Sequence, residues 1–197
     1  MLSVTQNESD KLFVGPNLLR IYSFAVGAQI IKSGFKPDFM VALWRGGAVP
    51  GCYIHELLKY KGIKSDHIAV RTSRYTGIDT IRESGDVLVH NLGYLSERLT
   101  HESKLLIVDD ILDSGASITA FMATLKARLS DNFPKEIRIA TIFYKPERNI
   151  SSYKPDYFAR TLAKSCWVVF PHELEGLSVE EIKHAMGDEV ASIISSI

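Results

Sequence analysis

The stretch Lys104–Thr119, KLLIVDDILDSGASIT, decides how the rest of the chain is read. Leu105 to Val108 is an unbroken apolar run, the pattern of a strand buried on both faces in a parallel sheet. Asp109 and Asp110 follow at once, and then the small-residue turn Asp113-Ser114-Gly115-Ala116-Ser117. Beyond it Ile118, Phe121, Met122, Leu125 and Leu129 fall on one helical face. The order is strand, acidic step, turn, helix. A helix N-terminus carries free backbone N–H groups and a partial positive charge, so it accepts phosphate, and small residues let a phosphate approach the backbone. Asp109 and Asp110 stand at the carboxyl end of the strand, where ligands of open α/β sheets bind. Carboxylates there are suited to accept from sugar hydroxyls or to face a magnesium ion. A plain turn capped by Asp113 or Ser114 would use similar residues. The ordered set as a whole is more specific, and it lacks the G-K-[ST] of a Walker loop.

The flanking chain supplies more strands and helices in alternation. Asn17 to about Lys32 reads as a helix capped by Asn17 and ended by Gly34, apolar on most sides and so buried in the core or against a second subunit. Residues 1–16 read as a lead-in of little structure. Phe39 to Trp44 is a second apolar run, followed by Arg45-Gly46-Gly47 and a helix with Pro50 in its first turn. Ile54, Leu57, Leu58 and Lys61 give that helix its inner face, and His67 to Arg71 reads as the next strand. Residues 72–86 are polar and without period, as in a functional lid or an unstructured loop. Val87 to His90 reads as a short strand, Leu92 to Leu99 as a short helix, and Ile137 to Lys145 as a strand. Tyr157–Arg160 and Trp167–Phe170 are apolar pieces among loops. Ser178, with Glu181 three residues on, starts a last helix in a capping box. Strands alternating with helices predict an α/β fold with a mostly parallel twisted sheet flanked by helices.

Composition narrows the function. The chain has 197 residues, 46% of them hydrophobic and 23% charged, which suits one globular domain over 1–197. Lys+Arg and Asp+Glu are both 23, so no net charge draws the chain to nucleic acid or an anionic membrane. Cys52 and Cys166 have neither redox nor zinc spacing and read as reduced thiols of a cytoplasmic protein. The opening MLSVTQNESDKLF lacks a basic region followed by an apolar core, so no secretory signal is expected. The most apolar segment, Leu18 to Ile31, is too short and too polar to span a bilayer.

The set LLIV, DD, two apolar residues and DSGAS resembles the phosphoribosyl pyrophosphate (PRPP) signature of the type I phosphoribosyltransferases. LWRGGAVPG and WVVFPHE resemble segments of the bacterial 6-oxopurine members, which act on xanthine, guanine or hypoxanthine. The resemblance covers roughly Asp38 to Glu173. It implies a core sheet with a small C-terminal hood, a mobile lid at about 72–86 and a base-binding hood region at about 145–175.

By the same resemblance, Asp109 and Asp110 face the ribose hydroxyls of PRPP. Ser114, Gly115, Ala116 and Ser117 cradle its 5′-phosphate. Asp113 sits near N7 of the purine as the catalytic proton-exchanging group. Arg45, Gly46 and Gly47 bind pyrophosphate, in a turn of the type that carries a non-proline cis peptide, and Ser73 and Tyr75 reach it from the lid. Lys145, Trp167 and Val168 hold the purine: a donor to the oxygen at C6, a stacking ring and an accepting carbonyl. Mg²⁺ is the implied cofactor, near Asp110 and Glu173, where the family usually has Asp in place of Glu173. Magnesium keeps several waters and leans on substrate phosphates, so one or two carboxylates suffice. The implied activity is transfer of the phosphoribosyl group from PRPP to a 6-oxopurine, in purine salvage, by a homodimer or homotetramer without nucleic-acid or membrane partners. Two other readings stay open. One is a PRPP-sensing regulator, which would need an added DNA-binding domain or a basic face. The other is a transferase for another base, such as a pyrimidine, which conflicts with Lys145 and Trp167.

Overall fold

The computed structural model describes residues 11–74, 87–89 and 92–197. Its elements run β1 (Lys11–Phe13), α1 (Pro16–Lys32), β2 (Phe39–Trp44), α2 (Ala48–Tyr60), β3 (Asp66–Arg74), β4 (Val87–Val89) and α3 (Gly93–Arg98). Then come β5 (Lys104–Leu112), α4 (Ala116–Leu129), β6 (Glu136–Tyr144), β7 (Tyr157–Thr161), β8 (Trp167–Val169), α5 (Val179–Met186) and α6 (Asp188–Ser195). The main sheet has the order β4-β3-β2-β5-β6-β7. Every pairing from β3 to β7 is parallel, and β4 joins antiparallel at the edge.

The continuous apolar runs are explained by helices on both faces. Successive strand residues point to opposite sides. In β5, Leu106 and Val108 join the core with Leu19, Val26 and Ile30 of α1 and Ile54 and Leu58 of α2. Leu105 and Ile107 join Leu95 of α3 and Phe121 and Leu125 of α4 on the other face. The predicted inner face of α4, Ile118, Phe121, Met122, Leu125 and Leu129, is buried throughout. Among the described residues no helix is long and apolar enough to cross a membrane.

Five expectations shift. β5 does not stop at Val108 but runs through Asp109 and Asp110 to Leu112, because β6 pairs with it along that length. Helix α1 starts at Pro16 after an extended Gly15, not at Asn17: proline suits the first helical position, and no side chain caps the end. Lys61 is not part of the inner face of α2 but follows its end, exposed. Part of the lead-in is ordered: β1 pairs in parallel with β8, Leu12 opposite Val168, and the Val14 N–H donates to the Val169 carbonyl at 2.9 Å. The capping box at Ser178 and Glu181 forms as expected, but α6 follows it after Gly187, so α5 is not the last helix. Of the segment 72–86, residues 72–74 finish β3; residues 75–86, with Tyr75, lie outside the described residues.

Candidate active site

The carboxyl ends of the parallel strands open into a cavity of about 900 Å³. Its floor is Asp109 to Ser117, continued by Ile118. One wall is Trp44, Arg45 and Gly46, and Arg71, Thr72, Glu173 and Glu175 complete it. Of the anticipated residues, Arg45, Gly46, Asp109, Asp110, Asp113, Ser114, Gly115, Ala116, Ser117 and Glu173 therefore meet in one place.

The floor has the form the sequence predicts, with one difference at the cap. Neither Asp113 nor Ser114 caps α4 with its side chain. Gly115 takes the N-cap position at φ 81, a left-handed conformation that favours glycine. A Cβ there would also overlap the Ser151 side chain. No side chain caps the first turn of α4; the Ala116 N–H has only a long 3.4 Å contact to the Ser114 hydroxyl. Apart from that contact, the first-turn amides of this 14-residue helix have no side-chain acceptor among the described residues, and Ala116 to Ile118 line the cavity.

The wall is a tight turn. The Trp44–Arg45 peptide is cis. A Cβ on Gly47 would overlap the Val108 carbonyl, and one on Gly46 would overlap the Asp110 carboxylate. Glycine is what lets the β2–α2 turn lie against the end of β5.

The carboxylates differ in their surroundings. Asp109 is half-buried, and its carboxyl is pushed well above the ordinary range, first by loss of water and then by the adjacent Asp110 charge. Asp110 is 6% exposed, and its Oδ2 lies 3.3 Å from His172 Nε2. Glu173 accepts from the Phe170 N–H at 3.3 Å, and burial, its largest influence, raises its carboxyl above the usual value. One donor atom each from Asp110, His172 and Glu173 fall within 4.8 Å of one another, so these three could hold a cation.

Asp113 lies between two cations. Lys145 Nζ is 3.5 Å from Oδ2 and Arg148 Nε 3.0 Å from Oδ1. Lys145 is 3% exposed, an interior ammonium whose ion-pair partner is Asp113. Lys145 is thereby brought beside the cavity floor. Trp167 and Val168 are on β8, apart from the main sheet and not in the cavity wall: Trp167 is 61% exposed and Val168 is buried. Gly47 is buried behind the turn, and Ser73 lies in β3.

Sequence reasoning missed Arg71, Thr72, Arg148, His172 and Glu175. Only His172 had a signal, standing next to Glu173 in the segment WVVFPHE.

A parallel α/β sheet with an uncapped helix N-terminus and paired carboxylates at its strand ends sets a place for phosphate beside groups that can accept from hydroxyls. The chain belongs to the phosphoribosyl transferase domain family, whose model matches residues 17–176. It is 24% identical over 197 residues to Xanthine phosphoribosyltransferase 1 of Saccharomyces cerevisiae, covering 86% of this chain and 93% of the relative. Among solved structures, a purine phosphoribosyltransferase from Pyrococcus horikoshii superposes with TM-score 0.62 at 22% identity, covering 86% of this chain and 98% of that one. The xanthine-guanine-hypoxanthine phosphoribosyltransferase of Helicobacter pylori gives TM-score 0.60 at 21% identity, over 92% and 96% of the two chains. These likenesses carry the fold.

Proposed function

We propose that this protein transfers the 5-phosphoribosyl group of PRPP to a 6-oxopurine base, giving the nucleoside 5′-monophosphate and pyrophosphate. The observation that carries the reading is the uncapped N-terminus of α4 opening into the same cavity as Asp109, Asp110 and Asp113. The family match and the names of the yeast and Helicobacter pylori relatives support it. The amides and hydroxyls of Ser114 to Ser117 hold the 5′-phosphate, and Asp109 and Asp110 accept from the ribose hydroxyls. Arg45 and the backbone of Gly46 and Gly47 bind the pyrophosphate, joined by Ser73 and Tyr75. Asp113 exchanges a proton at N7 as the new bond forms at N9. Lys145 donates to the oxygen at C6, the Val168 carbonyl accepts from the base, and Trp167 stacks on it.

The donor chemistry of Asp110 and Glu173 fits Mg²⁺, which prefers carboxylate oxygen. When bound with PRPP it would neutralise charge on the pyrophosphate leaving group. The same reading places the protein in the cytoplasm as a dimer or tetramer.

Base choice follows from donors. Lys145 has three donors and no acceptor. Opposite the amino group of adenine, donors would face donors, and each group left unpaired costs roughly 1–3 kcal/mol, about five- to 150-fold. Pyrophosphate release from PRPP and Mg²⁺ with each of four bases tests the proposal. Hypoxanthine and guanine should be good substrates, xanthine a variable one and adenine poor. No release with any of the four would reject the activity, and adenine used as well as hypoxanthine would overturn the role of Lys145.

A further inference from the structure

We infer that Arg148 is a positioning residue: its guanidinium holds one oxygen of Asp113 so that the other faces the base. The inference rests on the reading above, in which Asp113 exchanges a proton at N7 and Lys145 donates to the oxygen at C6.

Strand pairing brings Asp113 and Lys145 together. Leu112 of β5 lies opposite Tyr144 of β6, and the Lys145 N–H donates to the Leu112 carbonyl at 3.0 Å. The next residue of each strand therefore leaves the sheet beside the other. Asp113 Oδ2 is 3.5 Å from Lys145 Nζ. N7 and the C6 oxygen share one edge of a 6-oxopurine. Oδ2 and Nζ offer that edge an acceptor next to a donor.

Oδ1 is the oxygen left over. It is buried and accepts no aligned hydrogen bond among the described residues. What meets it is the Arg148 guanidinium, with Nε at 3.0 Å. The carboxylate of an aspartate rotates in a broad two-fold well. Held at one oxygen, it presents the other in a single direction.

The loop that carries Arg148 is pinned to the turn that carries Asp113. The Arg148 N–H donates to the Lys145 carbonyl at 3.1 Å, and the Ile150 N–H donates to the Ser114 carbonyl at 3.2 Å. Between them, Asn149 Nδ2 donates to the Tyr153 carbonyl at 2.7 Å. Asn149 Oδ1 accepts from the Ser151 N–H at 3.0 Å and from its hydroxyl at 2.7 Å. The guanidinium thus reaches Asp113 from an ordered backbone. The Arg148 side chain is 49% exposed, and exposed ion pairs add little to stability. This pair orients the carboxylate more than it holds the fold.

The test is a double-mutant cycle on the full chain. Wild type, Arg148→Gln, Asp113→Asn and the double variant are compared in single turnovers with PRPP, Mg²⁺ and hypoxanthine, so that slow product release does not mask the step. Arg148→Gln should slow conversion by roughly tenfold to 100-fold, the scale on which misplacing a reacting group acts. KM for PRPP, from steady-state rates, and the thermal midpoint should stay close to wild type. In the Asp113→Asn background the same substitution should change the rate less than about twofold, because effects that run through one residue do not add. Arg148→Lys keeps the charge without the planar fork and should recover part of the loss. Circular dichroism checks each fold, and Arg148→Met replaces the Gln variant if that one is misfolded. A guanidinium that held a substrate phosphate would instead raise KM for PRPP and act equally in both backgrounds. Either result, an unchanged rate in Arg148→Gln, or a Lys variant no faster than the Gln variant, overturns the inference. Wild type that transfers to none of the bases rejects the proposed activity itself, whereas an active wild type with any of those results rejects this inference alone.

Discussion

At the scale of single residues, the proposed chemistry turns on Asp113. Its carboxylate faces the cavity and touches Lys145 and Arg148. General acid–base help is typically worth ~10²–10⁴ in rate. Asp113→Asn should therefore lower kcat by about that range while PRPP binding, read by calorimetry, persists. An unchanged kcat would leave Asp113 only as the counterion of Lys145. The same substitution leaves a buried ammonium without its partner, so the thermal midpoint should also fall. Gly46→Ala is a sharper steric test. Its Cβ would occupy the space of the Asp110 carboxylate, and overpacking of this kind costs about 1–3 kcal/mol. Denaturant unfolding should show that loss, with weaker PRPP binding; wild-type values for both would mean the turn can move away. The cavity floor was legible from sequence because its residues are contiguous and their order is distinctive. Arg148 and His172 were not, since each matters through a partner far off in the chain, Asp113 just after β5 or Asp110 on β5, and no local pattern records such a meeting.

At the scale of elements, short segments hold β8, the strand proposed to bind the base, in place. β8 has β1 as its strand partner, and β1 is tied onward to α5 by Lys11 to Glu181 at 2.6 Å and by Phe13 against His184. Leu12, opposite Val168 and 6% exposed, is the buried side chain of β1. Leu12→Ala should cost about 2–5 kcal/mol and raise KM for the base more than KM for PRPP. Equal changes in both constants would contradict a specific link to β8. Elsewhere, Asp66 at the start of β3 accepts from the Tyr94 hydroxyl of α3 at 2.6 Å. That bond is the main cause holding its carboxyl below the ordinary value. The folded value lies below the unfolded one, so this contribution is present above about pH 4 and is lost as pH falls through the folded value. Tyr94→Phe should therefore lower the thermal midpoint at neutral pH, with a gap that closes in acid; a pH-independent gap would break the link. β2 was read to the residue because both its faces are apolar. β1 was missed because three residues, Lys11–Phe13, give no period, and α6 because Gly187 hides a second helix behind the first.

At the scale of the whole molecule, two apolar layers on opposite faces of one sheet fix the strand ends in a common plane, and the cavity opens there. The fold was legible because continuous apolar strands demand cover on both sides. Ile21 and Phe24 on α1 stay exposed, with Phe24 set against Tyr53 of α2 at 5.6 Å. Sedimentation should give a dimer or tetramer, and a monomer at every concentration would contradict the expected assembly. The most direct test of the central claim is product stoichiometry. Purified protein is incubated with PRPP, Mg²⁺ and guanine, and both products are quantified by chromatography. The account predicts guanosine 5′-monophosphate and pyrophosphate in equal amounts, each requiring both substrates. Pyrophosphate formed without nucleotide, or neither product with guanine and hypoxanthine alike, would contradict it.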